Sequence, residues 1–162
     1  DCRLGVSGIQ PIEIYANFFQ RNSIKPIVQV KENILSSDSR AYYAKYFIEA
    51  DYIAYGVNLG GLRKGGSGKT QTLRGIQHPE WVVKSFQKAL NNSLITPIPE
   101  SFYDISMYLG YINPELSGII IGPKNKSQLS KIMDFWDKMQ RSENLLAYPD
   151  LKKILTAGSP SS

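Results

Sequence analysis

The sequence predicts an α/β domain built on four parallel strands in chain order, with helices over the outer face. Two observations carry that expectation. Short apolar runs alternate with longer segments of helical periodicity, which is the pattern of a parallel sheet with crossover helices. The last apolar run, Ile119-Ile120-Ile121, has no polar alternation, which suits a strand covered on both faces. With 162 residues, 42% of them hydrophobic and 20% charged, the chain can bury one real core.

The first strand is expected within Cys2–Gly8. Gly8-Ile9-Gln10-Pro11 turns it into a helix, because proline suits a first helical turn that has no use for its missing donor. Ile12, Tyr15, Phe18 and Phe19 then form an expected apolar face. Asn22 and Ser23 end that helix, and Pro26 opens a second strand running to Asn33. Ser36 to Ser39 can cap a helix over residues 40–50, with Tyr43 and Phe47 inward. The third strand, within residues 52–59, runs into a loop with five glycines in the nine residues from Gly60 to Gly68. That composition predicts a mobile, exposed, basic loop over residues 60–75.

A helix over residues 79–92 follows, with Trp81 or Val82, Phe86 and Leu90 inward. Ser101 and Asp104 have capping-box spacing at the head of the next helix, whose apolar face carries Tyr103, Met107 and Tyr108. Asn113-Pro114 turns the chain into the fourth strand, Ser117–Pro123. Asn125 or Ser127 caps the helix after it, where Leu129, Ile132, Met133 and Trp136 fall at i, i+3, i+4 and i+7 and read as a core stripe. A short helix over 149–155 closes a domain spanning residues 1–156. Residues 157–162 are expected to be a disordered tail.

Several classes are excluded or disfavoured by the same text. No apolar run approaches 18 residues, so no membrane span is expected. No charged-then-apolar leader opens the chain. Asp1 stands where an initiator Met would, so a piece excised from a longer polypeptide is expected. The single cysteine, Cys2, cannot form an internal disulfide, which leans towards a reducing, cytoplasmic compartment. One Cys and one His cannot build a zinc site. The net charge of +5 helps an anionic partner approach without identifying one.

The strands carry a resemblance. Leu4-Gly5-Val6-Ser7-Gly8, Val28-Gln29-Val30-Lys31-Glu32-Asn33, Ile53-Ala54-Tyr55-Gly56 with the later Gly-Gly-Leu, and Ile120-Ile121-Gly122-Pro123 through Gln128-Leu129 together resemble strands five to eight of the aldo/keto reductases. The match is ordered along nearly the whole chain. It implies half of a TIM-type barrel, with a site at the C-terminal ends of the strands. The implied cofactor is NADPH. Ser7 and Gln29 would meet the nicotinamide carboxamide, Tyr55 would stack on the ring, and Gly122, Pro123, Lys124 and Gln128 would lie near the adenosine phosphate.

The departures from the family pattern weaken that implication. Gly8 replaces an Asn, Gly56 replaces a Ser, and Lys131-Ile132 replaces a Glu-Asn pair that holds the adenine. Each lost polar contact is worth on the order of 1 kcal/mol. The family's catalytic Asp, Tyr, Lys and His fall on strands before Asp1, and His78 matches none of them. No catalytic residue is therefore expected in this chain, and bound cofactor is not the leading expectation.

Gly66-Ser67-Gly68-Lys69-Thr70 looks like the end of a P-loop, but Arg63 stands where the full pattern needs glycine, and a P-loop must lead into a helix. Arg63, Lys64, Lys69 and Arg74 make a loose basic patch, weak support for nucleic-acid binding. The leading expectation is a non-catalytic interaction or scaffold domain. Its open sheet edges would take another chain, a neighbouring domain or a second copy. The alternative is the cofactor-binding part of an NADPH-dependent reductase whose catalytic residues lie elsewhere.

Overall fold

A computed structural model describes residues 2–64, 70–71 and 75–160. Four strands form one all-parallel sheet in the order β1 (Gly5–Ser7), β2 (Ile27–Lys31), β3 (Asp51–Tyr55) and β6 (Gly118–Ile119). A short antiparallel hairpin, β4 (Arg63–Lys64) with β5 (Thr70–Gln71), stands apart. Six helices complete the described residues: α1 (Ile12–Arg21), α2 (Asp38–Ala44), α3 (Glu80–Leu90), α4 (Phe102–Tyr111), α5 (Lys126–Arg141) and α6 (Tyr148–Thr156). The parallel, chain-ordered sheet is the one the sequence predicts.

Strand alternation sorts the sheet into two unlike faces. Val6, Val28 and Tyr52 are register partners on one face, as are Val30 and Ala54, with Ile119 next to Ala54. Val28, Val30, Tyr52 and Ala54 are buried. Ile12 and Phe19 of α1 and Phe47, just beyond α2, close over this face, with Phe19 and Phe47 edge to face at 6.0 Å. Ile119 joins a second, larger core centred on Ile105, Met107 and Tyr108 of α4, against which α3, α5 and α6 pack. Gly110 lets α4 lie close to β6, because a Cβ there would meet Ile119 Cγ2 at 2.7 Å. Tyr108 is fully buried yet satisfied: its hydroxyl donates to Thr96 O at 2.9 Å and accepts from Leu146 N at 2.7 Å.

The opposite face carries Gly5, Ser7, Ile27, Gln29, Lys31, Asp51, Ile53, Tyr55 and Gly118, and none of them is buried. No described helix covers it.

Helix ends follow their local chemistry. Ser101 and Asp104 form the expected capping box, with Asp104 N–H to Ser101 Oγ at 3.2 Å and Ser101 N–H to Asp104 Oδ2 at 2.9 Å. Asn125, rather than Ser127, caps α5 by accepting Gln128 N–H at 2.9 Å.

Three expectations need correction. The fourth strand is two residues long, and Ile120 beyond it is exposed, so β6 is not sealed on both faces. On α1 only Ile12 and Phe19 are buried, while Tyr15 and Phe18 face outward. On α5 the buried set is Ile132, Phe135 and Met139, and Leu129 and Met133 lie outside it. An apolar i, i+3, i+4, i+7 stripe marks a helix correctly, but a helix with six apolar positions can be rotated to bury a different three. Part of the glycine-rich segment is ordered into the hairpin, while residues 65–69 and 72–74 lie outside the described residues. Of the expected tail, residues 157–160 are described, with Ser159 N–H bonded to Thr156 O, and residues 161–162 are not.

No described helix is long and apolar enough to cross a membrane.

Candidate functional site

Parallel sheets place ligands beyond the C-terminal ends of their strands, and two sets of polar residues converge there. The first lies on the uncovered face. Ser7 ends β1, and its register partner is Gln29 on β2. Tyr55 ends β3 two positions beyond Gln29's partner Ile53, with Lys31 as its own partner. Tyr55 is 41% exposed. The sheet thus brings Ser7, Gln29 and Tyr55 onto one open surface.

The second set lines a groove of about 830 Å³ between the turn after β3, the head of α4 and the first turns of α5. Lys124 and Gln128 both belong to it, and Lys124 N–H donates to Gln128 Oε1 at 2.8 Å. Gly122 and Pro123 lie just before this lip and do not line the groove. Arg63, Lys131 and Lys138 add positive charge, and Glu100, Asp104 and Asp134 add negative charge. Asp104 is already committed to the α4 cap, where its carboxylate accepts the N–H groups of Glu100 and Ser101.

Two groove residues were not singled out from sequence. Asn58 Oδ1 and the Tyr103 hydroxyl are buried atoms with no hydrogen-bond partner among the described residues. Burial, with Asp104 nearby, pushes the Tyr103 hydroxyl up to about 12, so it stays protonated and available as a donor. An unpaired buried donor and acceptor are each costly, and together they offer complementary hydrogen bonds to a polar ligand. Asn58 could have been suspected as a polar residue in a turn after a strand. For Tyr103 the sequence held no sign, because its position in an apolar helix reads as core.

A third polar cluster sits on the covered side. Arg40 bridges Glu32 (Nε to Oε2, 3.2 Å) and Glu115 (Nη2 to Oε2, 2.6 Å). Glu32 is buried, and desolvation raises its carboxyl above the usual range, with Arg40 opposing that rise. Tyr148 and Lys152 of α6 line the same small pocket as Glu32. The cluster ties α2, the end of β2 and the approach to β6 together.

His78 Nε2 lies 2.7 Å from Leu59 O, a hydrogen bond that ties the chain leading into α3 to the turn after β3. Thr70, the last residue of the P-loop-like run, enters strand β5 rather than a helix, so the phosphate-binding context is absent there. No group of three His, Cys, Asp or Glu suited to a metal occurs among the described residues. No family model and no curated protein matches the chain.

Proposed function

We propose that this chain is an aldo/keto-reductase-like half-barrel that works as a protein-docking module through the uncovered face and open edges of its sheet. One observation carries the reading: the four parallel strands bury Val28, Val30, Tyr52 and Ala54 on one face, while no residue of the other face is buried. Parallel sheets are almost always covered on both faces. Here Ile27, Ile53 and Tyr55 share the bare face, with Leu4 and Ile120 exposed next to its two edge strands. Among the described residues β1 and β6 each have one neighbouring strand, so both present free backbone groups. A second sheet unit laid against this surface supplies both the missing layer and the missing pairing.

Selective tyrosine nitration in a gently lysed cell extract tests the reading. Tyr42, exposed on the helix side, is the internal control. Tyr55 is expected to be protected while Tyr42 reacts. Equal reactivity of the two would overturn the docking function.

A second reading, the cofactor-binding part of an NADPH-dependent reductase, is favoured by Ser7 and Gln29 sharing the uncovered face and by the groove of mixed charge with its two unpaired polar atoms. The fit to the cofactor is partial. Ser7 and Gln29 suit a carboxamide, which needs both a donor and an acceptor. Arg63, Lys124 and Lys131 suit a phosphate. Gln128 already spends its carbonyl on Lys124, and Ile132 is buried in the core, so neither is free to read an adenine. Titration calorimetry with NADPH decides this reading: micromolar binding supports it, and silence at millimolar cofactor removes it.

A further inference from the structure

We propose that the occupant of the open sheet is a second copy of this chain, joined so that β1 of each copy pairs with β6 of the other and eight parallel strands close into one ring. The inference rests on the docking reading above and names its partner.

The two open edges carry matching apolar surfaces. At 100° per residue along α1, the buried Ile12 and Phe19 and the partly buried Ala16 occupy one side, and Glu13, on the adjacent flank, reaches Tyr46 beyond α2. Tyr15 and Phe18 fall on the other flank, turned away from α2, with Ile14 at its outer border, and Ile14 and Phe18 are 65% and 48% exposed. α1 is the first helix of the sheet and follows its edge strand β1. Its bare flank is where a further helix would pack if a further strand were added beside β1. At the opposite end of the sheet, α5 follows edge strand β6 and leaves Leu129 and Met133, one turn apart, exposed.

Symmetry then selects the partner. All four strands run parallel and in the order β1-β2-β3-β6. A half-turn about an axis along the strands sets β6 of one copy beside β1 of the other with the same polarity. The same rotation makes the second junction identical to the first, so the ring closes at two copies and no edge remains. A single unrelated strand–helix unit would cover one edge and leave the other bare.

The area is sufficient. Leu4, Ile14, Tyr15, Phe18, Tyr55, Ile120, Leu129 and Met133 expose between two-fifths and two-thirds of their surface. At on the order of 200 Å² for a whole large side chain, they offer roughly 700 Å² of apolar surface per copy. A standard stable interface buries about 800 Å² per partner.

Sedimentation velocity on the purified chain at tens of micromolar tests the proposal. The expected result is a species of twice 18.2 kDa that becomes a monomer in Ile14→Arg and in Phe18→Asp, each with an unchanged far-ultraviolet spectrum. Ile14 guards against misfolding of the second variant, since Phe18 also touches Phe19 edge to face. A monomeric wild type overturns the second-copy proposal, as does a dimer that survives both substitutions. If the wild type is monomeric while Tyr55 is protected in the extract, the partner is a different protein and the docking reading stands. If it is monomeric and Tyr55 is reactive, both fail.

Discussion

The two faces of the sheet are made from alternate residues of the same strands, yet they obey different rules. Along β2, Val28 and Val30 are buried beneath helices while Ile27, Gln29 and Lys31 are not. Along β3, Tyr52 and Ala54 are buried while Asp51, Ile53 and Tyr55 are not. One face is solved by aromatic and aliphatic packing within the chain. The other mixes apolar, amide, hydroxyl and charged groups, and no described helix covers it. A single strand can therefore contribute to the stability of one domain and to its association with another, and the parity of a residue decides which.

The largest test of that division is Val30→Asp. It puts an unpaired carboxylate where no solvent reaches, and the cost should exceed about 4 kcal/mol, enough to abolish cooperative unfolding in a domain of this size. Next is Arg40→Ala, which strips the buried Glu32 of its guanidinium. Removing one partner of a buried pair costs about 3 kcal/mol, with some relief as Glu32 takes up a proton. The sign can be checked by pH. Burial raises the folded-state value for Glu32, so wild-type stability from this group is fullest below its ordinary value of 4.5 and falls as pH rises through the higher folded value. Arg40→Ala should steepen that fall in urea titrations from pH 4 to 8, and Glu32→Gln should flatten it.

Gly110→Val probes the same covered side at its weakest seam. The added side chain would press on Ile119, already too close for a Cβ, and overpacking of this kind costs about 2 kcal/mol. A lower urea midpoint with an unchanged slope would place the whole effect in folded-state packing.

The covered face was the more legible one. Pro11, Pro26 and the spacing of the apolar runs located the strands and helices within a few residues, and Ser101 with Asp104 marked the start of α4 outright. What the sequence hid was rotation and termination. Phe18 and Phe19 are equally apolar and adjacent, and only the placement of α2 decides that Phe19 goes inward. The fourth strand looked long because Ile120 and Ile121 are strand formers, but pairing with β3 ends at Ile119, with one further backbone bond from Ile120 N–H to Ala54 O. Ser7, Gln29 and Tyr55 were singled out only through the family resemblance, and the observed register puts them on one face of the sheet. The groove was only half legible. Lys124 and Gln128 belong to a recognisable helix entry, whereas Asn58 and Tyr103 come from segments brought together only by the packing of α4 on β6 and α5.

On the open face the charges are satisfied near solvent rather than buried. Asp51 pairs with Arg3 and, at 2.6 Å, with Lys25. The Lys25 and Arg3 hydrogen bonds hold its carboxyl at about 2, below the ordinary 3.8. Its contribution is complete above 3.8 and is lost as pH falls towards 2. The stability difference between wild type and Asp51→Asn should accordingly be constant from pH 5 to 7 and shrink as pH falls from 3.8 through about 2. It should also shrink in high salt, because these pairs are exposed. A difference that grows on acidification would mean that the trio is sealed from solvent after all.

The smallest expected effect is the most discriminating. Ile53→Asp introduces the same carboxylate as Val30→Asp on the neighbouring strand, with Ile53 beside the buried Ala54 and in register with Gln29. Because no described helix lies over it, the aspartate can keep its water. The loss should be limited to strand preference and a little contact area, about 1 kcal/mol in dilute solution. At tens of micromolar the same variant should no longer associate, since a charge would then have to enter the interface without a partner. A dilute-solution loss as large as that of Val30→Asp would show that Ile53 is already sealed inside a single chain. The two faces would then differ in composition only, and the argument for a docked partner would lose its foundation.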